Sequence, residues 1–170
     1  MSTIVNRIAN SSIATIDLED FYPSGERVVF DLKDYLFQEL VLKELDFRKS
    51  LKELDWSFYK GKHVAIHCSA DAIVPTWAFM LVATYIEGLS DSFVIGDKDA
   101  LEQFLFSSAL GKLNPEDFKG RPVVVKGCSN LPVPLFAYGE IVRLLKGVAK
   151  SIMYGEPCST VPLYKRPKES

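Results

Sequence analysis

Four apolar runs dominate the last two-thirds of the chain: HVAIHC at residues 63–68, SFVIG at 92–96, PVVVKGC at 122–128 and SIMYG at 151–155. Stretches of helical length separate them, and helices are predicted over residues 75–87, 98–110 and 134–148. Short apolar runs alternating with helices imply βαβ units, because a parallel strand needs a crossover that returns the chain to the starting end of the sheet. Pro75 and Pro134 stand where the first turns of two of these helices begin. A missing N–H is harmless there, and the fixed φ suits the start of a helix. Right-handed crossovers would bring the carboxyl ends of all the strands to one edge. The fold class read from this pattern is α/β, a mostly parallel sheet flanked by helices.

Residues 1–61 read differently, as a hairpin and helix extension. IATIDLEDF (13–21) and RVVFDL (27–32) alternate apolar and polar side chains as half-buried strands do, and YPSGE (22–26) between them supplies Pro and Gly for a turn. An N-terminal β-hairpin is therefore expected, followed by one or two short helices where Phe47, Leu51 and Leu54 recur at helical spacing. Residues 62–158 carry the βα repeats and 159–170 form a C-terminal tail. At 170 residues and 48% hydrophobic, the whole fits a single domain with a substantial core. WAFMLVATYI (77–86) is apolar all round and reads as a central buried helix, with Trp77, Met80 and Tyr85 in the core.

Composition narrows the function classes. A formal net charge of -2 offers no footprint for nucleic acid, and the terminal YKRPK (164–168) is too short to supply one. The longest uncharged run, over 72–86, is short for a membrane span and contains Pro75. The opening MSTIVNRIANSS lacks the apolar core of a signal peptide, and three cysteines are an odd number for a disulfide framework. A cytoplasmic protein is expected. There is no G-x-G-x-x-G, G-x-S-x-G or phosphate-loop motif.

The three cysteines share a context. Cys68 opens CSADAIVP, Cys128 opens CSNLPVP and Cys158 opens CSTVP, so each precedes serine and runs on to Val-Pro. All three fall at or just past the end of a predicted strand, the edge where ligands bind in open α/β sheets. Three thiolates gathered there would repel unless a cation neutralised them. The expected site is therefore a single metal ion, such as zinc or iron, or an iron–sulfur cluster held by Cys68, Cys128 and Cys158. Ser69, Ser129 and Ser159 would hydrogen-bond the sulfurs or the backbone, and Asp71 and Glu156 in the cysteine loops are candidate further ligands. His67 adjoins Cys68, but neighbouring strand residues face opposite sides, so it is expected to pack or meet solvent. Two alternatives stay open: a metal-free thiol enzyme assisted by Asp71, Glu156 or His67, and a structural or interaction protein whose cysteines simply pack.

CSADAIVPTWAFM (68–80), KGCSNLPVP (126–134), SIMYGEPCSTVPLYKR (151–166) and IDLEDFYPSGERVVFDLK (16–33) together resemble a bacterial family known as domain of unknown function 2480. The resemblance spans almost the whole chain and brings no established activity with it. It implies a role around metal or sulfur handling, with iron–sulfur assembly proteins as partners and the chain as an accessory factor.

Overall fold

A computed structural model describes residues 12–127, 129–156 and 158–169. In chain order the elements are β1 (Ala14–Asp17), β2 (Arg27–Asp31), β3 (Leu36–Phe37), β4 (Val41–Leu42), α1 (Glu44–Glu53), β5 (His63–His67), α2 (Thr76–Ile86), β6 (Ser92–Ile95), α3 (Lys98–Leu110), β7 (Pro122–Lys126), α4 (Leu135–Leu145), β8 (Ser151–Glu156) and β9 (Ser159–Lys165). The α/β class, the flanking helices and the mostly parallel pairing are as the sequence implies. Among the described residues no helix is long and apolar enough to cross a membrane.

The strands are dealt to two sheets rather than one. β2, β5 and β6 form an all-parallel sheet in order β2-β5-β6. β1, β7 and β8 are parallel in a second sheet, and β9 closes it antiparallel to β8 in order β1-β7-β8-β9. The chain correspondingly divides into two compact units. An inserted unit comprises Ser24–Phe104, and a terminal unit combines the described parts of Met1–Pro23 and Leu105–Ser170.

This distribution changes the reading of the N-terminal strands. β1 and β2 do not pair with each other: β1 lies parallel to β7, and β2 lies parallel to β5. The N-terminal hairpin is instead β3–β4, whose turn places Gln38 and Glu39 at φ 51° and 59°. Alternation identifies a half-buried strand but carries no information about its partner. Each of β1 and β2 runs directly into a 3-10 turn, Leu18–Phe21 or Leu32–Tyr35, which takes the chain away from an antiparallel return. Residues 159–165, read as tail, form β9.

The two units are copies of one design. Leu51 and Leu110, Tyr59 and Phe118, Val64 and Val123, Pro75 and Pro134, Ala78 and Ala137, and Gly96 and Gly155 all keep one constant separation along the chain. Ile16-Asp17-Leu18 and Phe30-Asp31-Leu32 give the matching first strands. The buried stripes of α2 (Ala78, Val82, Ile86) and α4 (Ala137, Ile141, Leu145) fall on equivalent positions. Residues four apart share one helix face, so each stripe packs against its own sheet. Burying each Val, Leu or Ile in such a stripe contributes about 1.5–3 kcal/mol. Pro75 and Pro134 are both N-cap residues, and each carbonyl accepts the first helical bond, from Ala78 at 3.0 Å and Ala137 at 2.9 Å.

Each unit has its own core. In the inserted unit Phe30 stacks between Tyr35 (centroids 5.3 Å apart) and Trp56 (5.7 Å), and Trp56 also stacks on Tyr85 (4.7 Å). The Trp56 indole N–H donates to the Leu51 carbonyl at 2.8 Å, so the ring's one polar atom is satisfied. Trp77 and Tyr85 pack against this core as expected, but Met80 is 59% exposed. The terminal unit's core gathers Ile16, Phe106, Phe118, Val123, Ile141 and Ile152 among others.

Candidate functional site

In both units the parallel strands end on an acidic residue beside a basic one. In the inserted unit Asp31, the last residue of β2, is in register with His67, the last residue of β5. Gly96 continues the ladder one residue past β6 by donating its N–H to the Ile66 carbonyl at 2.9 Å. That brings Asp97 to the same edge, where its Oδ1 caps α3 by accepting the Ala100 N–H at 2.9 Å. A cleft of about 460 Å³ opens here, lined by Val29, Asp31, His67, Asp97, Lys98 and Asp99. Its position outside the carboxyl ends of parallel strands is where α/β sheets bind ligands.

The terminal unit puts Asp17, at the end of β1, in register with Lys126, at the end of β7. Lys126 Nζ lies 3.5 Å from Asp17 Oδ2 and 3.7 Å from Glu156 Oε1. The Glu156 carboxylate first, and Asp17 second, raise the Lys126 pKa above its ordinary value. Position for position, Asp17, Lys126 and Glu156 correspond to Asp31, His67 and Asp97. A lysine tied to both carboxylates in one copy is a histidine beside an open cleft in the other.

The serine that follows cysteine has a structural task. Ser69 donates its N–H (3.0 Å) and its hydroxyl (2.6 Å) to Asp31, which also accepts the Lys33 N–H at 3.0 Å as the cap of its 3-10 turn. Partial burial opposes the Asp31 charge. It is outweighed by the Ser69 hydroxyl, the Ser69 and Lys33 N–H groups and the nearby His67, so the carboxyl lies below its ordinary value. In the terminal unit the loop beginning at Ser129 is held by a different residue: Glu19 accepts the N–H groups of Ser129 and of Asn130, the latter at 2.7 Å. The Asn130 N–H is the main cause lowering the Glu19 pKa, against desolvation and with help from Ser129 and Leu131. In both copies a carboxylate at the strand–turn corner latches the loop that precedes the helix, through Ser69 in one and through Ser129 and Asn130 in the other.

The cysteine site expected from sequence is overturned. Cys68 is half-buried against the inserted unit's core, and its Sγ donates to the Ala70 carbonyl at 3.8 Å. Cys158 is exposed in the turn between β8 and β9 of the terminal unit. Cys128 lies outside the described residues. Among the described residues no group of three His, Cys, Asp or Glu side chains can hold a metal ion. The expectation failed because it placed β5, β7 and β8 in one sheet with one carboxyl edge, whereas β5 belongs to the other sheet. Cys158 also sits in an antiparallel turn rather than a strand–helix loop, so its CSTVP has no counterpart in the duplication. The iron–sulfur or single-metal reading through Cys68, Cys128 and Cys158 therefore has no support.

The remaining expected residues scatter. Asp71 is exposed in the loop before α2, Ser159 is exposed at the start of β9, and Glu156 pairs with Lys126. Sequence reading missed Asp31, Asp97, Lys98 and Asp99 as a group with His67. Aligning the chain on itself, with position 51 set on position 110, would have revealed the exchange of His67 for Lys126.

The family model "Protein of unknown function (DUF2480)" matches residues 2–166, and the chain belongs to that family. No curated protein and no solved structure matches the chain significantly.

Proposed function

We propose that this member of the family is a cytoplasmic binding protein whose inserted unit holds a small polar molecule in the cleft beside His67. The cytoplasmic placement draws support from the free thiols of Cys68 and Cys158. The observation that carries the binding reading is the divergence of the two copies at one sheet edge. Where the terminal unit sets the Lys126 ammonium 3.5 Å from Asp17 and 3.7 Å from Glu156, the inserted unit has the shorter His67 and a cleft of about 460 Å³. That volume falls within the range of about 300–1,000 Å³ typical of small-molecule sites.

Amide NMR with a library of small polar compounds tests this. Binding there shifts the resonances of residues 29–31, 67–69 and 96–100 as one saturable set. A library spanning cations, anions and neutral molecules that leaves all of those amides unmoved refutes the reading.

A further inference from the structure

The terminal unit displays in its own covalent structure what the inserted unit's cleft lacks. Lys126 brings a primary ammonium to 3.5 Å from Asp17 and 3.7 Å from Glu156. Its two anionic neighbours are retained in the inserted unit as Asp31 and Asp97, at equivalent places in the duplicated design. The cation is not retained. His67 takes its position, and an imidazole is too short to reproduce the reach of a lysine stem.

We propose that the cleft binds a small molecule through a primary ammonium group, seated between Asp31 and Asp97 where Lys126 seats its own in the other unit. This rests on the cleft being a binding site and goes further by naming the ligand's chemistry. The lining favours a cation, since three carboxylates (Asp31, Asp97, Asp99) face one lysine (Lys98) and the imidazole of His67. Lys98 is not the counterpart of Lys126: the separation that pairs His67 with Lys126 pairs Lys98 with Pro157, and Lys98 lies beyond the sheet edge on the first position of α3. Acceptor capacity also remains. A carboxylate has about four lone-pair sites. Asp31 uses three, on Lys33 and twice on Ser69, and Asp97 uses one on Ala100. About one site remains on Asp31 and about three on Asp97, so an ammonium with three donors has acceptors on both groups.

The test titrates the full-length protein with n-butylamine, n-butanol and butyrate, which share a chain and differ in charge, and follows the amides of residues 29–31, 67–69 and 96–100. Only n-butylamine should shift them at neutral pH. His67→Lys copies the terminal unit's own arrangement, so it should fold and weaken n-butylamine binding roughly tenfold or more, the loss of about one charge-assisted contact. His67→Ala should keep the amine response, because the carboxylates and not the imidazole hold the ammonium. Should His67→Lys fail to fold, Asp97→Asn serves instead, with the same expected loss. Unchanged n-butylamine binding in both His67→Lys and Asp97→Asn overturns the proposal, as does loss of binding in His67→Ala. If butyrate or n-butanol shifts these amides while n-butylamine does not, the cation assignment falls and the cleft survives as a binding site. Silence with all three compounds, joined to silence across the wider library, removes both.

Discussion

Replacing Asp31 with alanine removes three hydrogen bonds at once, and their cost can be assembled from the geometry. Loss of the Lys33 cap is expected to cost about 1 kcal/mol. The Ser69 N–H and hydroxyl bonds, at 3.0 and 2.6 Å, are charge-assisted but partly exposed. Screening reduces them to about 0.5–1 kcal/mol each. Asp31→Ala should therefore lose about 2–3 kcal/mol at neutral pH, and Ser69→Ala about 1 kcal/mol, since it keeps the backbone bond. The double variant should be less damaged than the sum, with a coupling of about 1 kcal/mol. Both tryptophans of the chain, Trp56 and Trp77, lie within residues 24–104, so tryptophan fluorescence during urea unfolding reports on this unit. The pH dependence has a definite sign. The Asp31 carboxyl is held below its ordinary value of 3.8, so its stabilisation is complete above that value and is lost as pH falls through the lower folded-state pKa. The gap between wild type and Asp31→Ala should be constant near neutrality and should shrink below about pH 4. Additive losses in the double variant, or a gap that does not shrink in acid, would refute the latch.

Two further outcomes test the terminal unit. Gly155 has φ +120°, and a Cβ there would sit 2.6 Å from the Ser159 carbonyl oxygen, so Gly155→Ala should lower thermal stability by about 2 kcal/mol or more through strain in the β8–β9 turn. An unchanged melt by circular dichroism would contradict that geometry. Cys158 is exposed in the same turn, so Cys158→Ser should leave the melt within about 0.5 kcal/mol of wild type. Cys158 should also react with a thiol reagent faster than Cys68. A large destabilisation would restore a structural role to that sulfur.

The strands at 63–68 and 122–128 were legible because a parallel strand buried on both faces leaves a continuous apolar run in the sequence. Those at 92–96 and 151–155 were legible as short apolar runs in the same alternation with helices, although they are only partly buried. Their division between two sheets was not legible, because equivalent strands of two copies look alike and pairing depends on contacts far apart in the chain. The Cys-Ser repetition was visible and its meaning was misassigned. Sulfur drew attention as the chemically unusual atom, while the recurring structural contact is a carboxylate that accepts N–H groups of the loop after the strand, Asp31 from Ser69 in one copy and Glu19 from Ser129 and Asn130 in the other. The third occurrence, at Cys158, is a coincidence of composition in an antiparallel turn. His67 was read by strand alternation as packed or solvated. Only its registration with Asp31 and its equivalence to Lys126 give it a place in a site.

The exchange of lysine for histidine is explicable without loss of stability, and a second exchange makes it so. Glu19 in the terminal unit latches the Ser129 loop, which leaves Asp17 to pair with Lys126. The residue equivalent to Glu19 in the inserted unit is Lys33, whose side chain has no acceptor to offer a backbone N–H. The latch passes there to Asp31, whose charged carboxylate is stabilised by Ser69 donors instead of by an ammonium. A cation between Asp31 and Asp97 is thus no longer needed to hold the fold, since Asp97 has the Ala100 N–H at the start of α3. Both carboxylates can stand charged at an open edge, each with one or more fixed donors and room for another. A copy that has transferred its structural bonds in this way is free to exchange a covalently attached cation for a diffusible one. The variant Lys33→Glu probes this step: it should offer the Ser69 loop a second acceptor, and so reduce the cost of Asp31→Ala from about 2–3 kcal/mol toward about 1 kcal/mol, the value of the cap alone. Equal losses from Asp31→Ala with and without Lys33→Glu would show that the latch does not transfer between these positions.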